Sequence, residues 1–79
     1  MRIDKYLKNS RIIKRRTMAK EACEQGRVQL NGKAAKPGDE VVVGDIIEVS
    51  FGTGSMKVEV TSIVDNVSKD KSQELYKIM

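Results

Sequence analysis

The chain has 79 residues, with 15 Lys and Arg, 11 Asp and Glu, no His and a net charge of +4. That length holds one small domain burying about 60% of its unfolded surface, so its core is thin and must be filled by Val, Ile, Leu, Met and Ala. A single Cys23 excludes an intrachain disulfide, the lack of His and of a second Cys leaves no zinc-type ligand set, and no apolar run approaches the ~20 residues that span a bilayer.

The charge is segregated along the chain. Residues 1–36 hold 11 basic and 3 acidic side chains, whereas residues 37–79 hold 4 and 8. A cationic end on an acidic remainder suits a polyanion and restricts how it docks, which makes nucleic acid the leading partner.

In chain order, Ile3 to Lys8 predicts a short helix with Ile3, Tyr6 and Leu7 on one face and Asp4, Lys5 and Lys8 turned away. Asn9-Ser10 breaks it, and Ile12-Ile13 supply apolar anchors. A second helix is expected from Arg15 to Gln25, with Met18, Ala19, Ala22 and Cys23 as its apolar stripe and Arg16 and Lys20 one turn apart on the border. Gly26 suits the left-handed position that closes a helix. Beyond it the period changes to two: Val28 and Leu30 alternate with Arg27 and Gln29, and Asn31-Gly32 is a hairpin turn into Lys33-Ala34-Ala35. Pro37-Gly38-Asp39 is a second turn. Ile47, Val49 and Phe51 form the next alternating set, followed by a loop over Gly52 to Ser55 and then Met56, Val58 and Val60. The alternation slips at Thr61-Ser62, consistent with a bulge. A short closing helix is expected over residues 68–78, with Leu75 and Tyr76 facing inward.

Catalysis finds no footing. There is no His, no nucleophile–base pair and no Gly-rich phosphate loop, and Glu40, Asp45, Glu48 and Glu59 read as the solvated face of strands. A non-enzymatic binding module without a cofactor or metal is expected. Its candidate phosphate ligands are Arg2, Lys5, Lys8, Arg11, Lys14, Arg15, Arg16, Lys20 and Arg27. Taken singly, Lys5, Lys8 and Lys20 also fit a plain solvated face. Asp4 could cap the first helix or pair with Lys8, and Arg15 or Arg16 could pair with Asp4 or Glu24. No helix carries a base-reading set for the major groove, and Tyr6, Phe51 and Tyr76 read as core rather than stacking platforms. Recognition of structured RNA by shape and backbone is what remains.

The segments Arg2-Ile3-Asp4-Lys5-Tyr6-Leu7, Arg15-Arg16-Thr17-x-Ala19, Gly26-Arg27-Val28-Gln29-Leu30-Asn31-Gly32 and Val41-x-x-Gly44-Asp45-x-Ile47-x-Val49 resemble, in order and spacing, the S-four RNA-binding domain. The resemblance implies an α+β fold, the αL motif, with two short amino-terminal helices packed on a small, mostly antiparallel β-sheet. It covers a core of about residues 1–50, with a carboxy-terminal strand and tail over 51–79 in the same single domain. The start at Met1-Arg2-Ile3-Asp4-Lys5, the run Ile13-Lys14-Arg15-Arg16-Thr17, Phe51-Gly52 and Tyr76 are similar to the RqcP (YabO) family, itself similar to a ribosome-binding heat-shock protein. Lys14 stands where many relatives carry Ser, which leaves the cap of the second helix open.

This second resemblance implies a cytoplasmic ribosome quality-control factor, a monomer off the ribosome. It would bind large-subunit rRNA and the P-site peptidyl-tRNA and support alanine tailing of stalled chains together with RqcH. Arg2 and Arg16 are carried over as essential RNA contacts; in the mechanism expected here, Arg2, Arg11, Arg15, Arg16 and Lys20 clamp phosphates and Arg27 with the Asn31-Gly32 hairpin forms the rim. Two alternatives stay open: an rRNA-binding assembly factor or RNA chaperone, and a protein–protein adaptor acting through the acidic strands.

Overall fold

The computed structural model describes residues 1–64, 71 and 74–79. Two helices lie on one face of a five-stranded antiparallel sheet. α1 spans Ile3–Asn9 and α2 spans Arg16–Glu24. The strands are β1 (Val28–Leu30), β2 (Lys33–Ala34), β3 (Ile46–Phe51), β4 (Gly54–Val60) and β5 (Tyr76–Ile78), in the spatial order β2-β1-β3-β4-β5.

The apolar periodicities decide what is buried. Ile3, Tyr6 and Leu7 of α1 are fully enclosed, as are Ala19 of α2 and Val28, Ile47, Val58 and Val60 of the sheet. Pairing Val28 with Val49, Leu30 with Ile47 and Ile47 with Val58 sets these side chains in register on the helix-facing side, so a one-residue slip would expose them all. Each large aliphatic side chain in this layer contributes about 1.5–3 kcal/mol of burial free energy. The Tyr6 hydroxyl, enclosed with its ring, donates to the Leu75 carbonyl at 2.7 Å, which fastens the end of the chain to α1. Burial pushes that phenol well above its ordinary range, with Tyr76 adding to the shift.

Asn31 (φ 53°) and Gly32 (φ 84°) both take left-handed backbone, the conformation of the two-residue hairpin turn expected there. Gly26, at φ 75°, closes α2 as its composition suggested.

Four expectations need correction or completion. Asp4, placed on the outward face of α1, is buried, because the start of α2 lies over it. Met18, assigned to the apolar stripe, is 55% exposed; it falls on the border of α2 away from Ala19 and Cys23. Phe51 is 49% exposed, because β3 runs past the end of the core before turning at Gly52-Thr53. The chain closes with strand β5, not a helix: residues 76–78 pair with residues 58–60 of β4. Of the rest of the expected helix, residues 71, 74 and 75 take 3₁₀ geometry, and residues 68–70 and 72–73 lie outside the described residues. At the slip in alternation, the N–H groups of Thr61 and Ser62 both donate to the Leu75 carbonyl (2.9 and 3.2 Å), two residues opposing one as in a bulge.

Candidate nucleic-acid interface

The amino terminus is tied into the fold before the first helix begins. Ile3 N–H donates to the Asp39 carbonyl (2.8 Å), Val41 N–H donates to the Met1 carbonyl (2.9 Å), and Arg2 bridges to Glu40. Arg2 is therefore a fixed point rather than part of a frayed end. Its side chain passes the Pro37-Gly38-Asp39 turn, where a Cβ on Gly38 would sit 4.0 Å from the guanidinium carbon.

Beside it, α2 starts at Arg16. The Asp4 carboxylate, only 3% exposed, accepts from Arg2 at 3.2 Å and from Arg16 at 3.5 Å, while Lys5 N–H donates to it at 2.7 Å. The two guanidinium groups are 52% and 49% exposed. A guanidinium has five N–H donors in a planar fork, so one bond each to Asp4 leaves most of the donors facing solvent. A buried anion thus holds two arginines side by side and aims them outward. With Thr17 and Lys20, one turn along α2, they line a concavity of about 290 Å³ containing three cations and one carboxylate.

Electrostatics at the head of α2 run against ordinary helix practice. Arg15 caps it without a side-chain bond, Arg16 follows, and no acid stands in the first turn. Cations at that end oppose the helix dipole by a few tenths of a kcal/mol each. A bound polyanion would reverse that penalty.

The other candidate residues divide into groups. Lys8, Arg11 and Lys14 surround a separate small notch at the opposite end of α1. Lys5 is half-buried on α1 and Arg15 is exposed at the cap. Arg27 lines a cleft with Ile13, Met18 and Phe51, and Asn31 borders a groove on the outer sheet face with Glu48 and Lys57. Neither of these two lines the Arg2–Arg16 concavity. The Asn31 amide donates to Asp45 (3.1 Å) and its oxygen accepts from Ile46 N–H (2.8 Å), so this side chain braces the hairpin against β3. Sequence reasoning considered an Arg16–Asp4 pair but missed Arg2 as the second partner of the same carboxylate; the available sign was an acid isolated among motif arginines.

Cys23 is buried, its thiol pushed up to about 11 first by desolvation and then by Asp4, Asp39 and Glu24, which leaves it protonated and unreactive near neutrality. Among the described residues no group of three or more His, Cys, Asp or Glu side chains is placed to hold a metal ion. Nor, among them, is any helix long and apolar enough to cross a membrane.

Two helices packed on a small antiparallel sheet, with arginines organised at the mouth between them, define a small basic α+β module of the nucleic-acid-binding type. The S4 domain model matches residues 1–47. A protein of Halalkalibacterium halodurans named RQC P-site tRNA stabilizing factor is 49% identical over 78 residues, covering 99% of this chain and 89% of that protein. Its namesake in Listeria innocua is 46% identical, covering 100% and 86%. The trimeric structure of Vibrio cholerae heat shock protein 15 superposes with a TM-score of 0.92 at 31% identity, covering 100% of this chain and 81% of that one. The chain belongs to the S4 domain family and, within it, to the family of the RQC P-site tRNA stabilizing factors, which is non-enzymatic.

Proposed function

We propose that this chain binds RNA in ribosome-associated quality control, holding the P-site tRNA of a stalled large ribosomal subunit while the nascent chain is extended. The observation that carries the reading is the Arg2–Asp4–Arg16 arrangement: two half-exposed guanidinium groups fixed by one buried carboxylate. Such forks fit phosphate oxygens in pairs, and fixing them in advance reduces the entropy lost on binding. The name that the relatives carry, RQC P-site tRNA stabilizing factor, supports tRNA as the ligand.

In finer terms, Arg2, Arg16 and Lys20 grip backbone phosphates of large-subunit rRNA and of the peptidyl-tRNA, with Arg15 beside them and Arg27 and the Asn31-Gly32 hairpin at the rim. The chain acts in the cytoplasm, as a monomer when off the ribosome, and supports carboxy-terminal alanine tailing together with RqcH.

Sedimentation of the tagged protein with ribosomes, from cells with and without induced stalling, tests this. Enrichment on large subunits bearing peptidyl-tRNA, lost on Arg16→Ala, is the expected result. Equal binding to empty subunits would instead favour an assembly factor on free rRNA, and no ribosome association would refute the reading.

A further inference from the structure

We infer that Arg11, with Lys8 and Lys14, forms a second phosphate-binding notch at the far end of α1, so that the RNA backbone is held at two separate points. This deepens the RNA-binding reading above and rests on it.

The first observation is a contrast within the chain. α1 and α2 end in the same kind of turn: Arg11 N–H bonds back to the Lys8 carbonyl at 3.0 Å, and Gly26 N–H to the Cys23 carbonyl at 3.1 Å. Both positions are left-handed, with φ 62° at Arg11 and 75° at Gly26. Glycine enters that conformation freely, whereas the Cβ of an arginine crowds the neighbouring carbonyl. α2 uses the relaxed residue and α1 a strained one. The Arg11 side chain is exposed and, among the described residues, forms no ion pair that would account for an arginine there. Strain kept without such a pair points to a function.

The second observation is the shape and charge around it. Lys8, Asn9, Arg11 and Lys14 line a concavity of about 100 Å³ with three cations and, among the described residues, no carboxylate, unlike the concavity that contains Asp4. The third is rigidity. The Ser10 hydroxyl donates to the Leu7 carbonyl (3.2 Å), Ile13 N–H donates to the same carbonyl (3.1 Å), and the Asn9 amide donates to the Val64 carbonyl (3.2 Å). The cations therefore project from a braced turn. At about 1.5 Å of rise per residue, Arg2 and Lys8 stand roughly 9 Å apart along α1, and their side chains line two separate concavities, one for each of two phosphates. Each cluster takes its own.

The test is an NMR titration of the ¹⁵N-labelled full chain with an RNA stem-loop, following the side-chain N–H signals of Arg2, Arg11 and Arg16, with a parallel titration by inorganic phosphate. All three signals should move with RNA. Arg11→Gly should weaken RNA binding about threefold to tenfold and reduce the log–log salt slope by about 0.7–0.9, while its melting temperature stays equal or rises. Movement of Arg2 and Arg16 with a silent Arg11 would overturn the notch and leave the RNA reading intact. Silence of all three would overturn both. A response of Arg11 to inorganic phosphate but not to RNA would make it a free-anion site. An Arg11→Gly protein that melts lower would show that the arginine serves the fold.

Discussion

Replacing Arg16 by Ala removes one of the two guanidinium groups on the Asp4 carboxylate, and the local geometry limits how much of the fold goes with it. Asp4 keeps Lys5 N–H at 2.7 Å and Arg2 at 3.2 Å, so the buried carboxylate is not orphaned. The lost pair is long, 3.5 Å, and its arginine is half-exposed. A pair of that kind is worth under about 1 kcal/mol, a fall in melting temperature of no more than about 4–8 °C for a domain this small. Binding should suffer more. A charge-assisted contact to phosphate contributes about 1.5–3 kcal/mol, a loss of roughly tenfold to a hundredfold, and its removal should reduce the log–log salt slope by about 0.7–0.9. Arg16→Lys should keep the slope, since the charge remains, yet lose affinity, since the planar fork does not. Fluorescence anisotropy of a labelled RNA stem-loop across a KCl series, beside thermal melts, reads both quantities. A fall of more than about 10 °C with an unchanged slope would refute the reasoning and make Arg16 a structural residue.

Asn31→Ala loses both amide bonds and puts a Cβ residue without a bracing side chain at φ 53°, so a cost of about 2 kcal/mol is expected by denaturant titration. Asn31→Gly, which accepts the backbone angle, should recover part of it. Tyr6→Phe should cost about 1 kcal/mol rather than more, because the Leu75 carbonyl keeps the N–H groups of Thr61 and Ser62; a loss above roughly 3 kcal/mol would contradict that sharing. With rising pH, the Cys23 thiol of the unfolded chain loses its proton near its ordinary value, while the folded thiol holds it up to about 11. The folded state then binds more protons, so stability is complete below about pH 8.5 and falls as pH rises beyond it. Tyr6 acts in the same direction at higher pH. Cys23→Ala should remove up to about 2–3 kcal/mol of that alkaline loss, and melts at pH 8 and 10.5 that decline equally in both proteins would disprove the assignment.

Much of the fold is legible in residue order because its signals are local. The i, i+3, i+4 spacing of Ile3, Tyr6 and Leu7, Gly26 after the second helix, and Asn31-Gly32 between two alternating runs each answer to the conformational preferences of a few neighbouring residues. The clustering of basic residues before Lys36 likewise needs no coordinates to point to a polyanion. The S-four resemblance adds the pairing of Arg2 with Arg16 as motif positions.

What tertiary packing alone decided lies between residues distant in sequence. Asp4 looked solvent-facing on its own helix and became the buried anchor for Arg2 and Arg16 only because α2 crosses over it. Phe51 continued the apolar alternation of its strand, yet β3 outruns the helices that would have covered it. Residues 76–78 read as helix in isolation and form a strand because the unpaired edge of β4 offers hydrogen bonds that a helix there would leave unmade. Arg11 carries no sequence mark of its left-handed backbone; the tight turn between the helices imposes it. Local preference sets which elements form, and the partners those elements meet across the core determine which charges are held, which are exposed and which backbone is strained.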